Sequence, residues 1–126
     1  MSKGEGRGKG EKSIKANVMA FLATLPSACF MTRLSGIYKG HKSGKSINAG
    51  KDGAADIIGC YLGVPVAIET KNVLGPKGGT RGATQRASQI AFEIQWCNSG
   101  GLYILARSVS DVSEKLLQLA RQKCAR

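Results

Sequence analysis

Apolar and polar positions along the chain follow two periods. Over residues 11–25, Ile14, Val18, Phe21, Leu22 and Leu25 recur at helical spacing, which predicts an amphipathic helix stopped by Pro26. Residues 28–34 form a short run suited to a strand. Residues 55–61 and 64–71 read as two strands joined through Leu62-Gly63, a two-residue hairpin loop. Helical spacing returns over 84–98, with Ala87, Ile90, Ala91, Ile94 and Cys97 as the expected inward stripe and Asn98-Ser99-Gly100-Gly101 as the stop. Residues 102–106 are a fully apolar strand. A last helix is expected over 110–123, capped by Ser108 or Ser110, with Val112, Leu116, Leu119 and Ala120 inward. This order predicts an α/β fold, a mixed central sheet flanked by helices.

Three segments lack periodicity. Residues 1–10 hold four glycines and three basic residues, a flexible basic arm ahead of a single domain over 11–126. Residues 35–53 are rich in Gly and Ser and read as a long loop carrying Lys39, His41, Lys42, Lys45 and Lys51. Gly44-Lys45-Ser46 looks like the end of a phosphate-binding P-loop. The first Gly of that pattern would fall on Lys39, and no strand–loop–helix context surrounds it, so ATP binding is excluded. A second Gly-rich loop, 72–83, carries Lys77 and Arg81.

Charge narrows the function. Nineteen Lys and Arg against eight Asp and Glu give a net charge of +11, which points to a polyanionic partner, nucleic acid above all. Lys39, Lys42, Lys45, Lys51, Lys77 and Arg81 are the expected phosphate contacts, and His41 reads as a loop residue. Cys29, Cys60, Cys97 and Cys124 form no Cys-x-x-Cys pair and His41 is the only histidine, so structural zinc is not expected. The thiols are expected as small core residues in a reducing compartment. No apolar stretch approaches the ~20 residues of a membrane span, and the N-terminus has no apolar signal-peptide core, so a cytoplasmic location is expected.

The hairpin carries the chemistry. Strand alternation puts Glu69 and Lys71 on one face. If the loop is centred on Leu62-Gly63, paired residue numbers sum to 125, so Asp56 lies opposite Glu69; a bulge at Gly63 would slip this by one. Facing carboxylates destabilise a sheet unless a cation lies between them. Mg²⁺ suits such a pair, since it takes few carboxylates and keeps several waters. Lys71 beside them completes a set suited to phosphodiester hydrolysis, as a group that orients or helps deprotonate water, or that stabilises developing charge.

The segments 53–59 (Gly-Ala-Ala-Asp-Ile-Ile-Gly) and 67–71 (Ala-Ile-Glu-Thr-Lys) resemble the Asp…Glu-x-Lys core of the PD-(D/E)XK nuclease superfamily. Gln89-x-x-Phe92, then Gly100-Gly101 and the apolar strand ending Ala106-Arg107-Ser108, are similar to the VRR-NUC (virus-type replication-repair nuclease) family, over about residues 11–118. The resemblance implies a restriction-endonuclease-like αβββαβ core. It also implies an Mg²⁺-dependent endodeoxyribonuclease, with Mn²⁺ substituting, that acts on branched DNA as stand-alone viral or prophage Holliday-junction resolvases do. Carried over by match, Asp56, Glu69 and the backbone carbonyl of Thr70 are metal ligands, Lys71 is the catalytic lysine, and Gln89 is the helix glutamine that reaches the site. Gln85, one turn earlier, is the second choice, because the loop before it is long. Glu11 matches an acidic residue that the family tends to carry on its first helix.

Two other classes are open: a non-catalytic basic DNA- or RNA-binding domain, and a restriction-type nuclease of the same superfamily. Paired nicks across a four-way junction require two sites, so a homodimer is expected, with Leu117, Phe92 and Trp96 as candidate interface residues.

Overall fold

The computed structural model describes residues 11–32, 37–39, 46–48, 53–72 and 85–125. Its elements run α1 (Glu11–Leu22), β1 (Ala28–Thr32), β2 (Ile37–Lys39), β3 (Ser46–Asn48), β4 (Ile57–Tyr61), β5 (Val64–Thr70), α2 (Ala87–Asn98), β6 (Leu102–Ala106) and α3 (Val109–Cys124). Four strands make one mixed sheet in the order β1-β4-β5-β6. β1–β4 and β4–β5 are antiparallel and β5–β6 is parallel. A parallel pair needs a crossover connection, and α2 lies on it. The α/β class and the order helix, three strands, helix, strand are thus as expected.

The segment 35–53, expected as one loop, contains β2 and β3, which pair as a separate two-stranded antiparallel unit. Three-residue strands are too short for alternation to register. Ile37, Tyr38 and Ile47 are the segment's β-formers, and the pairing sets Tyr38 opposite Ile47.

The β4–β5 hairpin has the expected register. Leu62 and Gly63 have φ of 51° and 82°, both in the left-handed region, the geometry of a type I′ turn that matches strand twist. Pairs run from Tyr61–Val64 to Ile57–Ile68, each summing to 125. β6 pairing begins only at Val66, one residue after Pro65, so the ladder asks no N–H of the proline.

Alternation divides the sheet into two faces. Ile57, Val66, Ile68, Ile104 and Ala106 meet Ile14, Val18 and Leu22 of α1 and Val112 and Leu116 of α3. Burying aliphatic side chains of this kind stabilises by about 1.5–3 kcal/mol each. On the opposite face Ala54, Ala55, Ala67 and Tyr103 pack with Phe92 of α2, with Ile58 and Trp96 at the margin. Ser108 caps α3 by accepting from the Asp111 N–H at 3.3 Å.

The structure departs from the sequence pattern at α2 and at the cysteines. The face that α2 turns to the sheet is Gln89 and Phe92, flanked by Trp96; the Ala87-Ile90-Ala91-Ile94-Cys97 stripe faces outward, with Ile90 45% and Ile94 57% exposed. The aromatic side offers more area to bury. Phe92 stacks on Trp96 at 5.5 Å and lies 6.3 Å from Tyr103, and the Trp96 indole N–H donates to the Leu102 carbonyl at 3.0 Å. Phe92 and Trp96 therefore pack on this chain's own sheet, Phe92 buried and Trp96 partly so, while Leu117 is exposed. The four cysteines are exposed, not core. Cys29 and Cys60 lie on the sheet face opposite α1 and α3, which α2 covers over β6.

Candidate active site

The site lies where β5 ends, β4 begins and α2 starts. Gly53 sets the approach. Its φ is +77°, and a Cβ there would run into the Ser88 carbonyl, so only glycine lets residues 53–56 pass beneath the first turn of α2. Asp56 precedes the first paired residue of β4 and extends the hairpin register toward Glu69. Its N–H donates to Glu69 Oε2 at 3.2 Å. Its own Oδ2 accepts from the Thr70 N–H at 3.0 Å and the Thr70 hydroxyl at 2.8 Å. Asp56 and Glu69 are thereby tied across the strand pair.

Glu69 and Lys71 share a face, as alternation requires, and both are almost fully buried, at 2% and 5% exposure. Lys71 Nζ lies 3.7 Å from Glu69 Oε1. Gln89, 4% exposed, bridges them. Its Oε1 accepts from Lys71 Nζ at 2.9 Å and from the Arg86 N–H at 2.9 Å, and its Nε2 donates to Glu69 Oε1 at 2.7 Å. Two donors on one side and a carboxylate on the other fix the orientation of the amide. Taking a carboxylate and an ammonium out of water is costly unless further hydrogen bonds satisfy them, and Gln89 supplies these bonds. The Lys71 N–H also donates to the Ala106 carbonyl at 2.9 Å, which locks the end of β5 to β6.

Gln85, the alternative glutamine, is engaged elsewhere. Its Nε2 donates to Glu93 Oε1 at 3.0 Å and to the Tyr103 hydroxyl at 3.2 Å. Burial pushes the Tyr103 hydroxyl up to about 12, and the negative charges of Glu69, Glu93 and Asp56 add to the shift against the lowering effect of the Gln85 hydrogen bond. The phenol stays protonated beside the carboxylates. Sequence reasoning missed Glu93, Tyr103 and the Thr70 hydroxyl. A signal existed for Glu93, since Gln85, Gln89 and Glu93 form a polar stripe at four-residue spacing.

The donor set fits a hard divalent cation. Among the described residues nothing donates to Asp56 Oδ1, which leaves that oxygen for a ligand. The same residues hold no group of three or more His, Cys, Asp and Glu arranged for a metal. Two carboxylates, with waters filling the remaining positions, suit Mg²⁺ better than a metal that demands an all-protein cage. The side chain of Glu11 lies outside the described residues, as do the side chain of Lys39 and all of Lys42, Lys45, Lys51, Lys77 and Arg81. No helix among the described residues is long and apolar enough to cross a membrane.

No protein-family model matches the chain, and no curated protein matches it.

Proposed function

We propose that the chain is a divalent-metal-dependent endonuclease that hydrolyses phosphodiester bonds in branched DNA, in the manner of a Holliday-junction resolvase. One observation carries the reading. Asp56, Glu69, Lys71 and Gln89, spread over 34 positions of sequence, meet in one hydrogen-bonded cluster on a strongly basic chain. The resemblance of the Asp…Glu-x-Lys order, followed by Gln89, to VRR-NUC nucleases supports the same chemistry.

In this reading Asp56, Glu69 and the Thr70 carbonyl hold Mg²⁺, with Mn²⁺ able to substitute. When bound, the cation supplies positive charge to the phosphoryl group and makes a water a better nucleophile. Thr70 holds the Asp56 carboxylate through two donors. Gln89 fixes Lys71 and Glu69 together and is a positioning residue. Lys71 presents a buried ammonium that stabilises charge developing on the phosphate. The basic segments, including Lys39, Lys42, Lys45, Lys51, Lys77 and Arg81, bind the backbone of the DNA. Two nicks on symmetry-related strands need two copies of the site, which a two-fold homodimer supplies.

The test is cleavage of labelled linear, flapped and four-way DNA with and without Mg²⁺. The reading expects metal-dependent cutting, strongest on the four-way junction. Sequence-dependent cutting of linear duplex would favour a restriction-type enzyme. Tight binding that ignores Mg²⁺, with no cutting, would favour a non-catalytic basic domain.

A further inference from the structure

Of the four cysteines, two stand directly across a strand pair. The β1–β4 register sets Cys29 opposite Cys60, and both are exposed. We propose that Cys29 and Cys60 are a dithiol site that closes to a reversible disulfide under peroxide, binding β1 to β4.

The ladder decides the geometry. The Leu62 N–H donates to the Ser27 carbonyl at 3.0 Å, so hydrogen-bonded pairs alternate along the register from Ser27–Leu62 and fall next on Cys29–Cys60. Such a pair has its Cα atoms about 5.5 Å apart, within the roughly 4.4–6.8 Å that disulfides span. Its Cβ atoms, about 4.5–5.5 Å apart, stand at or beyond the upper end of the disulfide range. A small inward shift closes the gap. Among the described residues β1 is an edge strand paired with β4 alone, so it can make that shift without breaking a second described ladder. An exposed disulfide formed away from its relaxed geometry is easily reduced, which suits a reversible bond and not a structural staple. The face is also accessible, since the neighbouring Met31 is 64% exposed and Pro65, across from Cys60, is exposed as well. Cys97 and Cys124 sit on α2 and α3 and have no partner of this kind among the described residues.

The chemistry balances with a peroxide as the oxidant. One thiolate attacks the O–O bond, giving a sulfenic acid and, after protonation, one water from hydrogen peroxide. The second thiol attacks the sulfenic sulfur, the S–S bond forms and a second water leaves. Two thiols are oxidised and one peroxide is reduced. A dithiol reductant reverses the step by exchange.

The consequence lies near the hairpin. The bond would clamp the edge strand onto β4, whose first residue follows Asp56, and would close the chain between residues 29 and 60 into a loop.

The test uses the full chain treated with hydrogen peroxide, alkylated and digested with trypsin without reduction. The expected product is a monomer lighter by two hydrogens, with peptide 16–33 joined to peptide 52–71 and both released by dithiothreitol. Cys29→Ser and Cys60→Ser should each abolish the monomeric product, while a Cys97→Ser, Cys124→Ser double variant should keep it. Exposed serines at these positions leave the core intact, and the wild-type peptide map stands without any variant. Two outcomes would overturn the proposal: no 16–33 to 52–71 link in oxidised monomer, or links between chains only.

Discussion

Gln89→Leu removes the amide and keeps the shape, which isolates the hydrogen bonds at the heart of the site. Three are lost: to Glu69 at 2.7 Å, from Lys71 at 2.9 Å and from the Arg86 N–H at 2.9 Å. The first two involve charged partners and are worth about 1.5–3 kcal/mol each; the third is an ordinary bond of about 1 kcal/mol. Part of this is recovered, because Lys71 and Glu69, already 3.7 Å apart, can close on each other. The expected net loss is about 2–4 kcal/mol, a sizeable share of a typical ~5–15 kcal/mol domain stability. Urea denaturation followed by circular dichroism measures it, with an unchanged m-value showing that the folded and unfolded states are otherwise alike. A cycle with Lys71→Met should show coupling above about 0.5 kcal/mol, since the two residues share a bond. A Gln89→Leu protein within about 0.5 kcal/mol of wild type would refute the network.

Gly53→Ala should cost about 2–4 kcal/mol, from the left-handed φ together with the collision with Ser88, and thermal melting would show it; an unchanged melting temperature would mean α2 does not press on this loop. Tyr103 titrates near 12 in the folded protein and near 10 when unfolded, so its contribution to stability is complete below pH 10 and is lost as pH rises toward 12. Tyr103→Phe should flatten the fall in stability over that window by about 1 kcal/mol, after allowing for solvent screening at the hydroxyl; identical pH profiles would contradict the shift.

The parts of the fold that were legible are those where one physical rule acted alone. The β4–β5 register followed from a two-residue turn, which fixes all pairs at once, and it carried Asp56 to Glu69 without further information. Helix α1 had a single apolar stripe, and that stripe is the buried one, though the helix stops at Leu22 and not at Pro26. Helix α2 had two stripes in competition. Ile90 and Ile94 outweigh Gln89 on any hydropathy pattern, yet the sheet takes Phe92, Trp96 and the glutamine. Aromatic area and a charged pair needing a polar bridge decide that contest, and neither is visible in local periodicity. The cysteines misled for a related reason. They alternate with core residues in β1 and β4, but a strand buries both faces only where something covers both. Tyr103 reaches the site because β5 and β6 run side by side, a pairing that no spacing within either strand reveals, whereas the Thr70 hydroxyl reaches Asp56 across the hairpin itself.

As proposed, Asp56, Glu69 and Lys71 form a metal-dependent site for phosphodiester hydrolysis. The most direct measurement is the single-turnover rate of four-way junction cleavage in Mg²⁺, with protein in excess, for wild type and for Glu69→Gln. The substitution removes one ligand charge and keeps the shape, so junction affinity should hold or rise while the rate falls at least 100-fold, equivalent to about 2.7 kcal/mol in the barrier. A folded Glu69→Gln protein that binds and cuts the junction at the wild-type rate would contradict the assignment.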